Sequence, residues 1–152
     1  MSFQLLVAGF AEGETIPKPH TCEGPDVSPA LSWSGAPAET KSFILIVDDP
    51  DAPVGTWNHW LLYDIPATAQ SLDEGTKLGQ IGLDGVNDFG RRGYGGPCPP
   101  RGHGPHRYFF KLFAVDVASL GLPAGARRAG LDRALRNHLL AEAQYMGRYQ
   151  RK

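Results

Sequence analysis

The sequence has only two cysteines and almost no net charge. Cys22 and Cys98 are too few for the disulfide scaffold that stabilises many small secreted domains. A single bridge between them is one alternative, but reduced thiols are usual in the cytoplasm, and we expect both residues to be reduced. The net charge of −1 gives no electrostatic reason to expect nucleic acid or an anionic membrane surface as a partner.

Long apolar runs are also missing. No stretch approaches the roughly 18 consecutive apolar residues that a membrane-spanning helix needs, so we expect no integral membrane contact. The N-terminal segment MSFQLLVAGF is apolar, but no basic residue precedes its apolar part. Its alternation is more typical of a strand than of a signal peptide. These absences favour a cytoplasmic protein.

Glycine and proline, by contrast, are abundant. The 19 glycines and 13 prolines among 152 residues favour short strands and many turns over long helices. No repeat, linker or low-complexity block divides the sequence, so residues 1–152 are predicted to form one domain. Three longer strands are expected at SFILIVDD, WNHWLLYDIP and HRYFFKLFAVD, with shorter ones near residues 3–8 and 31–33.

The segment AGLDRALRNHLLAEAQYMG, near the C-terminus, predicts a helix. Apolar residues recur there every four positions, and Gly147 is a suitable residue for the end of the helix. These apolar residues are Leu131, Leu135, Leu139 and Ala143. The residues alone therefore predict a single, mainly β domain with a C-terminal α-helix.

Polar residues border each of the three longer strands. Asp49 ends the first, His59 lies near the start of the second, and His106 begins the third. If the three strands are neighbours, these side chains converge at one end or edge of the sheet. The loop before His106, within GPCPPRGHGPHRYFF, has a backbone restricted by prolines and glycines, and such loops commonly carry binding groups.

This convergence predicts a site for a small oxyanion. A two-residue period places Trp57 and His59 on one face of their strand and Asn58 and Trp60 on the other. The two imidazoles can donate hydrogen bonds to an oxyanion, and Trp57 with nearby prolines would form an apolar wall. Asp49 would orient a histidine or accept the proton of a monoprotonated phosphate. The predicted ligand is a small phosphoryl or carboxyl group in a shallow site.

Other chemistries fit the pattern less well. His103, His106 and Asp49 are alternative metal ligands, but their spacing crosses a Gly-Pro pair and does not lie on a helix. Cys98 with a histidine is an alternative nucleophile, yet no Cys–His signature surrounds it, and a small buried thiol is the simpler interpretation. We therefore expect neither a metal nor a cofactor.

The order of the motifs resembles that of a known family. SPALSW, DDPDAP, WNHWLLYDIP, YGGPCPPRGHGPHRYFF and LFAVD follow one another as in the phosphatidylethanolamine-binding proteins. The sequence is most similar to the bacterial and archaeal branch, often called Raf kinase inhibitor-like proteins. The resemblance covers nearly the whole chain. It implies an antiparallel β-sandwich of a large and a small sheet, with an anion pocket at one end.

The same resemblance assigns seven residues to that pocket. Two come from the ends of D-P-D-A-P, two from W-N-H, one from the P-P pair and two from H-R-Y. In this sequence they are Asp49, Pro53, Trp57, His59, Pro99, His106 and Tyr108. The family also tends to have a cis peptide near D-P-D-A-P, which proline makes less costly.

The resemblance implies a binding protein rather than an enzyme. We expect a small-anion-binding protein for phosphoryl head groups, because acid and base groups are present without a clear nucleophile or metal set. One alternative is regulation of a kinase or protease by protein contact, and another is phosphoester hydrolysis. The kinase-regulating surface of eukaryotic members cannot be transferred, since the sequence lacks their longer C-terminal extension. The oligomeric state stays open, with a homodimer as one option.

Overall fold

Antiparallel strands form most of the regular structure in residues 2–152, the part of the chain that the computed structural model describes. The strands are β1 (Gln4–Val7), β2 (Leu31–Ser34), β3 (Ser42–Asp49), β4 (Trp57–Pro66), β5 (Ser71–Leu72), β6 (Leu83–Asp84), β7 (His106–Val115) and β8 (Leu139–Tyr149). The helices are a 3-10 turn (Lys18–His20) and α1 (Arg128–His138). A small sheet has the order β1-β2-β5, and a large sheet has the order β6-β4-β3-β7-β8. The predicted sandwich of a large and a small antiparallel sheet with a helix near the C-terminus is confirmed.

The central strand β3 separates two apolar layers. All eight of its residues are buried, as the continuous apolar run predicted. Phe43, Leu45 and Val47 enter the inner layer, between the two sheets. Ile44 and Ile46 enter the outer layer, between the large sheet and α1. Consecutive residues of β3 therefore lie in different environments, which matters at its last two positions.

A β-bulge in β4 changes the predicted facing of one residue. Val47 pairs with Trp60 but Asp48 pairs with Asn58, so β4 contains one extra residue, His59. Two residues of a bulged strand then lie opposite one residue of the partner. Trp60 accordingly lies in the inner layer, on the same side as His59, and the prediction that it shares a face with Asn58 is wrong.

The predicted C-terminal helix is shorter than expected. It ends at His138, and the following residues form β8, which pairs with β7. The prediction of helix as far as Gly147 is therefore wrong. Buried residues in β8 alternate, as Ala143 and Tyr145 illustrate, and a spacing of four fits a strand as well as a helix. Within residues 2–152 no helix has the length and apolar character needed to cross a bilayer.

The two cysteines form a disulfide. The Sγ atoms of Cys22 and Cys98 lie 2.09 Å apart, so the prediction of reduced thiols is wrong. The backbone N–H of Cys22 also donates to the carbonyl oxygen of Pro97 at 3.1 Å. Nearby, the N–H of Gly96 donates to Oδ1 of Asp26 at 2.9 Å. Together these bonds attach the loop before β7 to the segment that follows the 3-10 turn.

Candidate functional site

The ends of β3, β4 and β7 surround a cavity on the inner side of the large sheet. Its volume is about 230 Å³. The three strands are neighbours because β3 pairs with both β4 and β7, so the condition for the predicted convergence is met. All seven residues singled out from the sequence line this cavity: Asp49, Pro53, Trp57, His59, Pro99, His106 and Tyr108.

A buried Asp–His pair forms part of the cavity wall. Nδ1 of His106 lies 2.7 Å from Oδ2 of Asp49, and the other carboxylate oxygen accepts the backbone N–H of Asp51 at 2.7 Å. Because the carboxylate accepts, Nδ1 of His106 carries a proton. Asp49 therefore orients His106, the first of the two roles predicted for it, and leaves Nε2 as the nitrogen available for a further partner.

His103 is the further partner of His106. Its Nδ1 lies 2.6 Å from Nε2 of His106, and the two rings meet edge to face with centroids 4.8 Å apart. His106 is only 2% exposed, whereas His103 is exposed. From the sequence, His103 was predicted only as an alternative metal ligand, and its contact with His106 was not predicted.

His59 approaches the cavity from the opposite strand in a different chemical state. Its Nδ1 lies 2.7 Å from the carbonyl oxygen of Gly95, to which it donates. Burial lowers the pKa of His59, although the hydrogen bond to Gly95 and the charge of Asp49 oppose that shift. A neutral His59 that donates through Nδ1 has a lone pair on Nε2, so it offers a ligand an acceptor rather than a donor.

Two buried donors at the cavity lack acceptors. Neither the hydroxyl of Tyr108 nor Nε1 of Trp57 has a hydrogen-bond partner among the described residues. Burial raises the pKa of Tyr108, and the nearby Asp49 carboxylate raises it further, so the hydroxyl stays protonated. The hydroxyl lies close to that carboxylate but does not make a hydrogen bond of normal geometry with it. Most buried donors in proteins are paired, and exceptions of this kind often mark a place for a ligand or water.

Contacts with other segments hold the loops around the cavity in place. Arg107 donates from its backbone N, Nε and Nη2 to the carboxylate of Asp51, each at 2.9 Å. The side-chain hydrogen bonds from Arg107 lower the pKa of Asp51 to about 2. Nε of Arg151 donates to the carbonyl oxygen of Pro99 at 2.7 Å. The cis peptide that the resemblance implied near D-P-D-A-P is not found, since no peptide bond in residues 2–152 is cis.

Several residues of the cavity wall were not predicted from the sequence. Phe89, from the loop between β6 and β7, packs edge to face against both Trp57 and His59. No local pattern marks Phe89, whereas Val54 directly follows the D-P-D-A-P motif and could have been included. The lining residues outside the predicted set are Ala52, Val54, Phe89, Cys98 and Pro100.

The donor and acceptor set of the cavity suits a small polar ligand. Residues 2–152 contain no group of three or more His, Cys, Asp or Glu side chains arranged to hold a metal ion. The wall combines the donors of Tyr108 and Trp57 with the acceptor of His59. Its remaining surface is mostly apolar, which strengthens hydrogen bonds by excluding water.

Comparison with known families accounts for nearly the whole chain. The model of the phosphatidylethanolamine-binding proteins matches residues 7–150. The chain belongs to this family. Among family relatives, a UPF0098 protein of Aquifex aeolicus is 54% identical to it, with 99% of this chain and 96% of the relative covered. The resemblance drawn from the motifs is therefore confirmed.

Solved structures of the phosphatidylethanolamine-binding protein family have the same fold. The homologue CT736 of Chlamydia trachomatis superposes with a TM-score of 0.91 at 38% identity, with 99% of each chain covered. Escherichia coli YbcL, described as a member of the mammalian family, gives the same TM-score, identity and coverage. The two-sheet architecture is thus that of bacterial members of the family.

Proposed function

We propose that the cavity binds a small oxyanion and that the phosphoryl head group of a phosphomonoester is its preferred ligand. The observation that carries the proposal is the pair of buried donors, the Tyr108 hydroxyl and Nε1 of Trp57, which lack acceptors although both residues line the cavity. A buried polar group without a partner costs roughly 1–3 kcal/mol. A ligand that brings acceptor oxygens removes this cost, which favours its binding.

His59 favours a phosphoryl group over a carboxylate as the ligand. The Nε2 lone pair of His59 suits a ligand oxygen that carries a proton. A monoanionic phosphomonoester has both a P–OH donor and acceptor oxygens, whereas an ionised carboxylate has only acceptors. We therefore expect phosphomonoesters to bind more tightly than carboxylates of similar size.

The apolar wall indicates that the ligand carries an organic substituent. Ala52, Pro53, Phe89 and Pro99 border the cavity, whose volume of about 230 Å³ exceeds that of a bare phosphate ion. None of the described lining residues is Lys or Arg, so a permanent cation does not contribute to binding there. Binding of inorganic phosphate should then be weak, with a Kd on the order of millimolar.

We propose binding rather than turnover as the function. Cys98, the one thiol at the cavity, is held in a disulfide, and the described lining residues include no serine or threonine. Nucleophilic catalysis commonly requires one of these groups next to a base. Hydrolysis is the second candidate, because Nε2 of His59 could accept a proton from water. Turnover of a panel of phosphomonoesters would establish it.

Two expectations about cellular context stay predictions. Regulation of a kinase or protease by protein contact would be supported if a partner bound wild type and Tyr108→Phe equally well. Cytoplasmic location is opposed by the Cys22–Cys98 disulfide, because such bonds persist mainly in oxidising compartments and, as an exception, in hyperthermophiles. Thiol alkylation immediately after cell lysis would show which state the protein has in its cell.

The test of anion binding removes one donor without changing the shape of the cavity. In Tyr108→Phe, affinity for ethyl phosphate should fall by about 1.5–3 kcal/mol, the cost of losing a hydrogen bond to a charged group. Tyr145→Phe is the matched control, since the Tyr145 hydroxyl donates to the carbonyl of Phe10 and Tyr145 does not line this cavity. Calorimetry and NMR with wild type should show saturable binding at the cavity. No binding at millimolar ethyl phosphate, or equal binding by Tyr108→Phe, would contradict the proposal.

A further inference from the structure

The contact between His103 and His106 has a consequence for the proposed anion site. His106 presents Nδ1 to Asp49, so its only other polar atom is Nε2. That atom is already bonded to Nδ1 of His103 at 2.6 Å. An oxyanion that receives a hydrogen bond from Nε2 of His106 must therefore take the place of His103.

The number of protons in the pair limits when this contact can exist. If His106 is neutral, its Nε2 accepts a hydrogen bond from His103; if His106 is protonated, Nε2–H donates to a neutral His103. When both rings are protonated, two N–H groups face each other and the contact breaks. The pair therefore shares one proton between Nε2 and Nδ1, and a second proton separates the rings.

The loop around His103 allows the ring to move away. His103 is exposed and lies between Gly102 and Gly104, whose φ angles are +74° and +86°. A Cβ placed on either glycine would meet no atom within 4 Å, so the space beside the loop is open. The N–H of Gly102 donates to the carbonyl oxygen of Arg151 at 2.9 Å, so the backbone is held and the His103 ring moves by rotation of its side chain. By contrast, His106 is 2% exposed and fixed by Asp49, so displacement must move His103.

We propose that His103 is an internal, displaceable occupant of the anion position on His106. An oxyanion binds by accepting the Nε2–H of protonated His106, while His103 swings out into solvent and the site takes up a proton from the medium. This inference rests on the proposed function, because it identifies how the same cavity regulates anion binding. His103 thus lowers affinity while it is bonded to Nε2 of His106 and stops doing so once both rings are protonated.

Other charged groups near His106 do not substitute for His103. Asp49 on β3 holds Nδ1, and Asp51 is neutralised by Arg107. Tyr108 on β7 lies beside the His106 ring, and Tyr149 on β8 is its strand partner; burial raises the pKa of both, so they remain uncharged. The proton that separates the rings is therefore one that the His103–His106 pair itself takes up.

The experiment compares sulfate binding by wild type, His103→Ala and the control His138→Ala. His138 is a partly exposed histidine whose Nδ1 lies 2.9 Å from Oδ1 of Asp116; it lies at the end of α1 and does not line the cavity. Sulfate stays fully ionised across the histidine range, so changes in its affinity with pH report on the protein. At about pH 8, His103→Ala should bind sulfate roughly 3–10-fold more tightly than wild type, the effect of removing one competing hydrogen bond. His138→Ala should match wild type.

The advantage of His103→Ala should disappear at about pH 5.5 if both rings are protonated there, because the second proton separates the rings and leaves Nε2–H of His106 free. Equal or weaker binding by His103→Ala at about pH 8 would overturn the inference. So would an advantage of the same size at both pH values, since the contact would then not depend on the proton.

Ring ¹⁵N NMR of the anion-free proteins separates this inference from the proposed function. The His106 signals should titrate at a different pH in His103→Ala than in wild type, whereas His138→Ala should leave them unchanged. An unchanged His106 titration in His103→Ala would overturn the histidine contact even if sulfate binds. A changed titration with no binding of sulfate or ethyl phosphate by any variant would preserve the contact but refute the anion site, and with it the displacement.

Discussion

Asp48 and Asp49 are consecutive buried carboxylates that the molecule uses in different ways. Asp49 faces the inner side of the large sheet, where a histidine donates to it beside an open cavity. Asp48 faces the outer side, where Oδ2 accepts hydrogen bonds from Lys111 at 3.1 Å and from Arg128 at 2.9 Å. Both side chains are almost fully buried, at 2% and 4% exposure.

The difference lies in the partners rather than in burial. Lys111 and Arg128 carry permanent charges, and Arg128 also bonds to Oδ1 of Asn58, so the outer cluster attaches α1 to the sheet. The inner partner is an imidazole, which can change its protonation state and has a second nitrogen for another group. A buried acid with fixed cations is thus typical of a structural contact, and one with a histidine at a cavity is typical of a binding site.

The largest expected effect concerns the disulfide, which lies at the cavity on the inner side of the large sheet. Replacing both Cys22 and Cys98 by serine should lower the free energy of unfolding by about 4 kcal/mol, given a separation of 76 residues. Ethyl phosphate affinity should also fall, because Cys98 lines the cavity. Urea unfolding and calorimetry would measure the two effects. A variant with unchanged stability would show that the bridge does not constrain the unfolded chain.

Asp48→Asn should have the next largest effect on stability. It should weaken the contacts on the outer side of the large sheet without affecting the cavity on the inner side. Loss of the charge leaves Lys111 and Arg128 without their buried partner, and we expect a cost of about 3 kcal/mol in unfolding free energy. This lies at the lower end for buried pairs because both cations are 26% exposed. Anion affinity, measured by calorimetry on the same sample, should not change. A matching loss of affinity would mean that the two sides of β3 are coupled.

His59 makes the inner side sensitive to mild acid. Burial lowers the pKa of His59 in the folded state, so the unfolded chain binds a proton at His59 at a higher pH than the folded protein does. The contribution of His59 to stability is therefore fully present only above the pKa of the unfolded state, about 6.5. As pH falls below that value towards the lowered pKa, stability should decline by at most ~1.4 kcal/mol per pH unit. Thermal unfolding of wild type and His59→Gln across this range would test it. An identical pH dependence in the variant would assign the effect to another group.

The smallest expected effect belongs to Asp51 and Arg107 at the rim of the site. Since hydrogen bonds from Arg107 hold the pKa of Asp51 at about 2, the stabilisation is present above the usual value near 3.8 and disappears as pH falls through 2. Exposure of both side chains makes the contribution small. Asp51→Asn should therefore show a slightly shallower loss of stability between about pH 4 and 2. A large change at neutral pH would mean that this pair also positions the loop for folding.

Strands whose residues follow one clear local pattern could be predicted from the sequence. The run at 42–49 and the alternation from His106 onwards each have one natural interpretation, and both strands are confirmed. The segment 139–149 has two possible interpretations, because a four-residue spacing satisfies both the helix and the strand period. Its pairing with β7 makes it a strand. Leu139, predicted on the apolar face of a helix, is 45% exposed in β8.

Within the site, the motif residues could be predicted but their partners could not. The D-P-D-A-P and H-R-Y motifs identified Asp49 and His106 on the cavity wall. The disulfide and the position of Phe89 depend on which loops pack together over long separations, and no local pattern records that. The contact of His103 with His106 depends on the path of a glycine-flanked loop, which the residue types leave open.

The bulge at His59 bears on how this protein tolerates insertions and deletions. Deleting His59 would restore regular alternation in β4, because Trp60 and Asn58 would still pair with Val47 and Asp48. Trp57 would then stay at the cavity and Asn58 would keep its bond to Arg128, so the only groups lost are those of the His59 ring. A deletion scan should therefore find that loss of this codon weakens anion binding but leaves the attachment of α1 intact, whereas deletion of a residue outside the bulge shifts the register of the strand.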